Sequence, residues 1–198
     1  MRKYCAISFS LKVTILTIIG TCTSLWSIAQ EYVEKAEGSN ISMVPIPAGS
    51  FIMGSNFNEK GRMTDEHQHK VKLSAFFIGK YEITQAQYQA ITGTNPSIFS
   101  ICGANCPVTN VSWVEAAKFC NLISEKAGLV PYYTIDGNKA TSNNTNGYRL
   151  PTEAEWEYSA RANTTTMNYN GDLNEISDNN CADLDKIAIY TGNSCVNW

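Results

Sequence analysis

The chain has 198 residues, of which 43% are hydrophobic, 11% aromatic and 17% charged. This composition is typical of a globular protein and excludes a disordered, highly charged polymer. Lys and Arg together number 15 and Asp and Glu 18, which gives a formal net charge of −3. A mildly acidic chain without a basic stripe argues against nucleic-acid binding.

The first 29 residues have the pattern of a secretory signal peptide. Arg2 and Lys3 precede a largely apolar run over residues 11–29, and Ser27-Ile28-Ala29 fits the small-x-small rule for cleavage. An uncleaved membrane anchor fits less well, because the run is short and interrupted for a spanning helix. We therefore predict a signal peptide over residues 1–29, a polar, flexible lead-in over residues 30–42 and a domain over residues 43–198.

This leader predicts an exported protein that is secreted, periplasmic or at the cell surface, with no membrane span after cleavage. A lipid anchor at Cys22 is a second interpretation, although Thr21 stands where a small Gly or Ala is expected. Export brings the remaining cysteines into an oxidising compartment, where disulfides form.

Four cysteines are the candidates for disulfides, namely Cys102, Cys106, Cys181 and Cys195. Spacing does not fix their connectivity, and Cys120 is expected to be left over. The Cys102 and Cys106 pair is interpreted as a clipped surface loop rather than a redox pair, because no basic neighbour favours a thiolate.

Short strands broken by Pro and Gly begin at Met43. Phe51–Met53 lies between Gly49 and Gly54, as a strand between two turns does. The polar stretch over residues 56–69 predicts a loop. The following segment has a period of two, which predicts one strand with a face on a core. That face comprises Val71, Leu73, Ala75 and Phe77.

Three helices begin with capping-box patterns, in which a Thr or Ser is followed three residues later by Gln or Glu. The pairs are Thr84 with Gln87, Ser112 with Glu115, and Thr152 with Glu155. Gly93 and Gly128 predict the ends of the first two helices. The second helix carries an apolar stripe of Ala116, Cys120, Ile123 and Ala127.

Two segments rich in Asn, Gly and Thr, over residues 136–147 and 163–180, predict surface loops. Short strands combined with separated helices predict an α+β fold rather than a βαβ repeat.

Residues 148–162, YRLPTEAEWEYSARA, contain the third helix and its approach. Pro151 forces the preceding Leu150 to be extended. We predict that Trp156 is buried and that Trp156 and the Thr152 cap are structural. Glu157 is spaced to pair with Arg161 at i,i+4.

The acids of this helix allow a second interpretation. Acids in the first turns are favoured by the helix dipole, so their presence needs no function. Alternatively, one of Glu153, Glu155 and Glu157 is buried against Arg149 or Arg161, or serves a site.

The string at residues 148–162 resembles the core signature of the formylglycine-generating enzyme family, also called sulfatase-modifying factors. Segments over residues 43–55, 76–88, 107–121 and 190–194 resemble further family motifs in the same order, so the resemblance covers residues 43–194. It implies an irregular α+β fold of the C-type-lectin kind. The residues of the structural signature are Arg149, Leu150, Pro151, Thr152, Glu153, Glu155, Trp156 and Glu157.

Enzymes of this family oxidise a sulfatase cysteine to formylglycine with oxygen, copper and a pair of active-site cysteines, and calcium supports the fold. The family's last segments, which hold the cysteine pair, match nothing in this chain. The resemblance therefore implies a domain truncated at its C-terminus, with no catalytic residue and no metal ligand assigned. Copper would belong only to the full-length domain, whereas calcium stays open.

The leader predicts export, and the resemblance implies a bacterial protein with a protein or peptide substrate. We expect no oxidase activity from this chain alone. The alternative is a non-catalytic paralogue that uses the lectin-like fold for binding or structure, at the cell surface or in gliding motility.

Two polar segments contain residues that bind metals in other proteins. His67 and His69 lie close to Asp65 and Glu66, and the stretch over residues 172–185 is rich in Asn and Asp, whose oxygens suit calcium. Both segments are interpreted as solvated loops, which often carry such residues.

Overall fold

The computed structural model describes residues 39–98, 103–173 and 182–188, together with the backbone of two short strands at residues 10–12 and 32–34. The chain divides into two compact units. Unit 1 comprises residues 1–48 and 74–151, and unit 2 comprises residues 49–73 and 152–198. Within the described part of the chain, no helix has the length and apolar character needed to span a membrane.

The part of the chain that the structure describes contains eight strands and three helices, which are short and mixed along the sequence and confirm the predicted α+β class. The strands are β1 Ser10–Lys12, β2 Tyr32–Glu34, β3 Ile41–Ile46, β4 Gly49–Met53, β5 His69–Leu73, β6 Phe76–Gly79, β7 Tyr133–Asp136 and β8 Lys139–Ser142. The helices are α1 Gln85–Thr92, α2 Trp113–Lys126 and α3 Glu153–Arg161.

The main sheet of unit 1 has four antiparallel strands in the order β1-β6-β3-β2. Strand β2 lies within the segment that the sequence predicts as a flexible lead-in, and β3 begins two residues before Met43. Tyr32 pairs with Met43 and Glu34 with Ile41. Strand β2 thereby covers the outer edge of β3, which explains why this segment is extended.

The core of unit 1 forms around α2. Ala116, Cys120 and Ile123 are fully buried, as the predicted stripe requires, and Ala127 packs against them from the helix end. Phe119, on the same helix, stacks on Tyr88 of α1 with ring centroids 5.0 Å apart.

The predicted capping boxes of α1 and α2 are both present. The Thr84 hydroxyl accepts from the Gln87 N–H at 3.2 Å, and the Gln87 side chain accepts from the Thr84 N–H at 3.0 Å. Gly93 ends α1 in the left-handed conformation, with φ 80°. The helix boundaries were therefore readable from local sequence alone.

Residues 133–142 form a hairpin, β7 paired with β8, where the sequence was interpreted as a surface loop from residue 136. That expectation was wrong. Asp136 pairs with Lys139 across the two-residue connection Gly137-Asn138, and Gly137 has φ 55°. Gly-Asn between short runs is a hairpin signal, which the polar composition of the segment obscured.

Unit 2 contains the β4–β5 hairpin and helix α3. The strand predicted through Val71, Leu73, Ala75 and Phe77 is two strands, because β5 ends at Leu73 to pair with β4 while β6 starts at Phe76 to pair with β3. The break changes the alternation, so that Phe76 and Ile78 are buried and Ala75 is exposed.

Candidate functional site

The signature begins in unit 1, where residues 148–150 close the core. The Tyr148 N–H donates to the Ser124 hydroxyl at 2.7 Å, and the Leu150 N–H donates to the Tyr133 hydroxyl at 3.1 Å. Both bonds are buried. Burial is the main reason that the pKa of Tyr133 is raised to about 12, with Cys120 adding to it. These contacts make the start of the signature part of the core.

Arg149 is buried, with 7% of its surface exposed. Its Nη1 donates to the Leu150 carbonyl at 3.1 Å, and its guanidinium lies 5.7 Å from the ring centre of Tyr132. A planar cation over an aromatic face is a favourable contact that retains the charge in a partly apolar setting. Within unit 1, Arg149 therefore serves packing.

In unit 2 the signature continues as helix α3, whose predicted cap is present. The Glu155 N–H donates to the Thr152 hydroxyl at 3.2 Å, and the Thr152 N–H donates to the Glu155 carboxylate at 2.9 Å. Glu155 is 7% exposed, whereas Glu153 is exposed. One acid of the three is thus buried, and it serves the cap.

Glu157 and Arg161 form the predicted ion pair, with Oε1 and Nε 2.8 Å apart. The same Glu157 oxygen accepts from the Gly54 N–H at 2.9 Å, and Arg161 Nη2 donates to the Gly54 carbonyl at 3.0 Å. Gly54 has φ 96°, and a Cβ there would lie 2.7 Å from the His67 carbonyl oxygen. The pair therefore fixes a turn that only glycine can form.

Trp156 is 54% exposed, so the prediction that it is buried was wrong. The reason is helical geometry: Trp156 lies one turn from Thr152 and one turn from Ala160, and both are exposed. Tyr158 is the aromatic residue that packs, with its ring centroid 5.2 Å from that of Phe51. The sequence does contain a signal for this exposure, because Trp156 lies four residues after the cap residue Thr152 and so shares its face of the helix.

The polar loop before β5 is held by its own side chains. The Ser55 hydroxyl donates to the Glu66 carboxylate at 2.5 Å, and Arg62 donates to the carbonyls of Ser55 and Glu66, each at 3.3 Å. His69 Nδ1 lies 2.9 Å from the His67 carbonyl oxygen. Glu66 thus stabilises the loop.

The disulfide candidates fall mostly outside the described residues, as Cys102, Cys181 and Cys195 do. Cys106 is disulfide-bonded, while Cys120 carries a reduced, fully buried thiol. The Cys102–Cys106 pairing stays a prediction. Copper chemistry of the family type needs a thiol pair, and Cys106 and Cys120 do not fit that requirement.

One corner of unit 2 brings together two carboxylates, the type of side chain that binds calcium in other proteins. Asp172 and Asp183 line a small cavity of about 20 Å³ together with Asn168 and Asn170. The Nδ2 of Asn168 is buried there without a hydrogen-bond partner. Among the described residues, however, no three His, Cys, Asp or Glu side chains cluster as metal ligands. Any calcium here would therefore need amide or carbonyl oxygens as well as the two carboxylates.

An open groove in unit 1 has a volume of about 650 Å³. Its walls come from three segments that are distant in sequence. The lining residues are Asn40, Ile41, Ser42, Lys80, Tyr81, Glu82, Thr84, Gln87, Asn105 and Pro107. We call this surface the unit 1 groove; no sequence motif predicted it.

Backbone hydrogen bonds hold these three segments together. The Lys80 N–H donates to the Ser42 carbonyl at 2.8 Å, and the Gln85 N–H donates to the Cys106 carbonyl at 2.8 Å. Thr84 and Pro107 form an isolated β-bridge. The groove walls are therefore fixed by main-chain contacts.

Tyr81 is the large apolar side chain of the groove, with 68% of its surface exposed. The Lys80 Nζ lies 5.5 Å from the centre of its ring. Glu82 and Asn105 are also exposed. The groove thus offers an aromatic face, both signs of charge and several amide groups, which is the chemistry of a polar binding surface.

Similar solved structures support the fold. Treponema denticola variable protein 1 is 30% identical, with a TM-score of 0.63 over 74% of this chain and 61% of that one. PvdO from Pseudomonas aeruginosa is 24% identical, with a TM-score of 0.52 over 69% of this chain and 52% of that one. The predicted fold of the family is thereby confirmed.

Two curated proteins are also similar to this chain in sequence. A protein named chaperone protein LppX from Paenibacillus barcinonensis is 44% identical over 50% of this chain and 40% of its own. The formylglycine-generating enzyme of Bos taurus is 24% identical over 60% of this chain and 39% of its own. This chain thus spans about 40% of the length of these relatives. The sulfatase-modifying factor enzyme 1-like domain matches residues 29–188, and the chain belongs to this family.

Proposed function

We propose that this chain is an exported member of the sulfatase-modifying factor family that binds a polypeptide through the unit 1 groove. The groove carries the proposal, because it is large, open and fixed by main-chain hydrogen bonds. Exposed aromatic residues in fixed surroundings are frequent anchors of protein–protein contacts. Tyr81 is the anchor in this proposal.

The relatives support a polypeptide as ligand. Formylglycine-generating enzymes act on protein substrates, and the relative from Paenibacillus barcinonensis is named a chaperone. Both classes of protein contact other polypeptide chains. The leader over residues 1–29 supports export, which would place this activity outside the cytoplasm.

A second candidate function is oxidation of a sulfatase cysteine, which the similarity to the enzyme of Bos taurus favours. Cys106 and Cys120 do not supply the thiol pair, since one is in a disulfide and the other is buried. Mass spectrometry of a cysteine-containing sulfatase peptide incubated with the protein, copper and oxygen tests this candidate. We expect no formylglycine.

The binding proposal is tested with reduced, carboxymethylated α-lactalbumin, which is an unfolded polypeptide. We expect Tyr81→Ala to weaken its binding to the exported protein about tenfold, which corresponds to about 1.4 kcal/mol. Tyr169→Ala is the matched control, because Tyr169 is also exposed but lies in unit 2. Equal binding by the Tyr81→Ala variant and the parent would contradict the proposal.

A further inference from the structure

Strand β6 is the inner neighbour of β1, the strand formed by residues 10–12. The two run antiparallel, with Ser10 opposite Ile78, Leu11 opposite Phe77 and Lys12 opposite Phe76. On its other side β6 pairs with β3. Strand β1 lies within the leader that the proposed export would remove, so cleavage would take away one of the two neighbours of β6.

One hydrogen bond just past the end of β6 shows to which neighbouring strand each backbone N–H and C=O of β6 points. The Lys80 N–H donates to the Ser42 carbonyl at 2.8 Å, which continues the register that joins β6 to β3. Backbone groups of successive residues in a strand point to opposite edges. Ile78, two residues before Lys80, therefore faces β3, whereas Phe77 faces β1.

The position of Pro45 in β3 agrees with this assignment. Pro45 lies opposite Phe77, and it has no N–H to donate. Because the backbone groups of Val44 point to β6, those of its neighbour Pro45 point to the other edge of β3. The missing N–H of Pro45 therefore removes no hydrogen bond to β6. The register of the sheet is thus consistent with Phe77 directing its N–H and C=O to the edge that β1 occupies.

An open β6 edge would be receptive to another strand. The sequence Phe76-Phe77-Ile78-Gly79 contains no charged residue and no proline, although Lys and Pro are the usual devices that protect exposed edges. Phe76 and Ile78 are buried, with 3% and 6% of their surface exposed. Phe77, on the opposite face of the strand, packs against the core cluster of unit 1 and anchors β6 there.

We propose that the β6 edge of the exported protein is a strand-addition site for an extended, antiparallel polypeptide segment. The proposal rests on the proposed export and names a second polypeptide contact of unit 1, made through the main chain. The pairing of residues 10–12 shows that the edge accepts an extended segment in this orientation. Main-chain hydrogen bonds supply the affinity in such complexes.

The test uses the exported, processed protein and a synthetic peptide of residues 8–14 of this chain. We expect the peptide to slow amide hydrogen exchange at Phe77 by about tenfold or more, with little change at Ile78, whose N–H faces β3. The unprocessed full chain, in which β1 fills the edge, should not bind the peptide.

Two N-methylated peptides provide a matched pair. Methylation of the Leu11 nitrogen removes the donor that faces Phe77 and should abolish protection, whereas methylation of the Lys12 nitrogen, which points away from β6, should preserve it. Equal protection by both peptides, or none by the unmodified peptide, would overturn the proposal. A concentration-dependent dimer that protects Phe77 without peptide would also overturn it, because the occupant would then be a second copy.

The failure of this inference is distinguishable from the failure of the proposed function. A mass for the protein that still includes residues 1–29 would contradict the leader cleavage on which this inference rests, whereas binding at Tyr81 does not require that cleavage. Tyr81→Ala should leave peptide protection at Phe77 unchanged, because it alters the unit 1 groove and not the β6 edge. Loss of protection in that variant would overturn the inference that the edge is a separate site.

Discussion

Glu157 and Arg161 are paired at 2.8 Å, and each also binds the backbone of Gly54. Two side chains one helical turn apart thus satisfy both the N–H and the C=O of one glycine that lies more than 100 positions away. This arrangement links α3 to the end of β4 within unit 2, and it gives Glu157 and Arg161 a structural role.

We expect Glu157→Gln to lower the free energy of unfolding by about 1–2 kcal/mol, since it weakens charge-assisted bonds that are partly buried. The measurement is urea denaturation of the protein. Glu153→Gln is the control, because Glu153 lies on the same helix and is exposed. A loss as large in the control would contradict the structural role of Glu157.

The Thr152 cap of α3 and the side chain of Trp156 should contribute independently to the stability of the protein. Thr152→Ala should cost about 1 kcal/mol, since it removes the acceptor of the Glu155 N–H. Trp156→Ala should cost clearly less than the roughly 3–5 kcal/mol lost when a fully buried tryptophan is truncated, because the side chain is half exposed.

Fluorescence provides the check, in a protein whose other three tryptophans are replaced. Emission from Trp156 should be red-shifted and readily quenched by iodide. Blue-shifted emission together with a large loss of stability on Trp156→Ala would show that the side chain is buried after all.

Stability should fall as the pH rises from about 10 to about 12. The pKa of Tyr133 is raised to about 12 by burial, while the unfolded chain has an ordinary tyrosine pKa near 10. In this range the unfolded state loses a proton that the folded state keeps, and unfolding is favoured. Below pH 10 both states are protonated, so the contribution is constant.

The check is thermal denaturation between pH 8 and 12 for the parent and Tyr133→Phe. The fall in stability at alkaline pH should be smaller in the variant than in the parent. Part of the fall should remain, because burial also raises the pKa of Tyr88. An unchanged pH profile in Tyr133→Phe would argue against the assignment.

Calcium is proposed to bind at the cavity lined by Asp172 and Asp183. We expect calcium to raise the melting temperature of the protein, by about 2–4 °C for each kcal/mol of binding free energy. Asp172→Asn should abolish that rise while retaining an oxygen that can accept the Met167 N–H. Asp136→Asn in unit 1 is the control, and a calcium effect that survives Asp172→Asn would contradict the site.

Local features of the sequence predicted the structure well. The three capping boxes, the end of α1 at Gly93 and the Glu157–Arg161 pair are all present, because each depends on residues within one helical turn of one another. The Ala116–Ile123 stripe is buried for the same reason. Short-range geometry needs no knowledge of the remaining fold.

Features that depend on distant partners were not predictable in this way. The break between Leu73 and Phe76 arises because β5 and β6 pair with different strands. Trp156 looked like a core residue by size alone, but Tyr158 takes the packing position against Phe51. The unit 1 groove joins residues 40–42, 80–87 and 105–107, and only the folded chain brings these together.

The central claim is that a polypeptide binds at Tyr81, and photo-crosslinking tests it most directly. Benzoylphenylalanine is placed at position 81 or, as a control, at position 169 of the protein, and each variant is irradiated with reduced, carboxymethylated α-lactalbumin. The account predicts a crosslinked product from position 81 and little from position 169. Equal crosslinking from both positions, or none from position 81 under conditions where binding is measured, would contradict it.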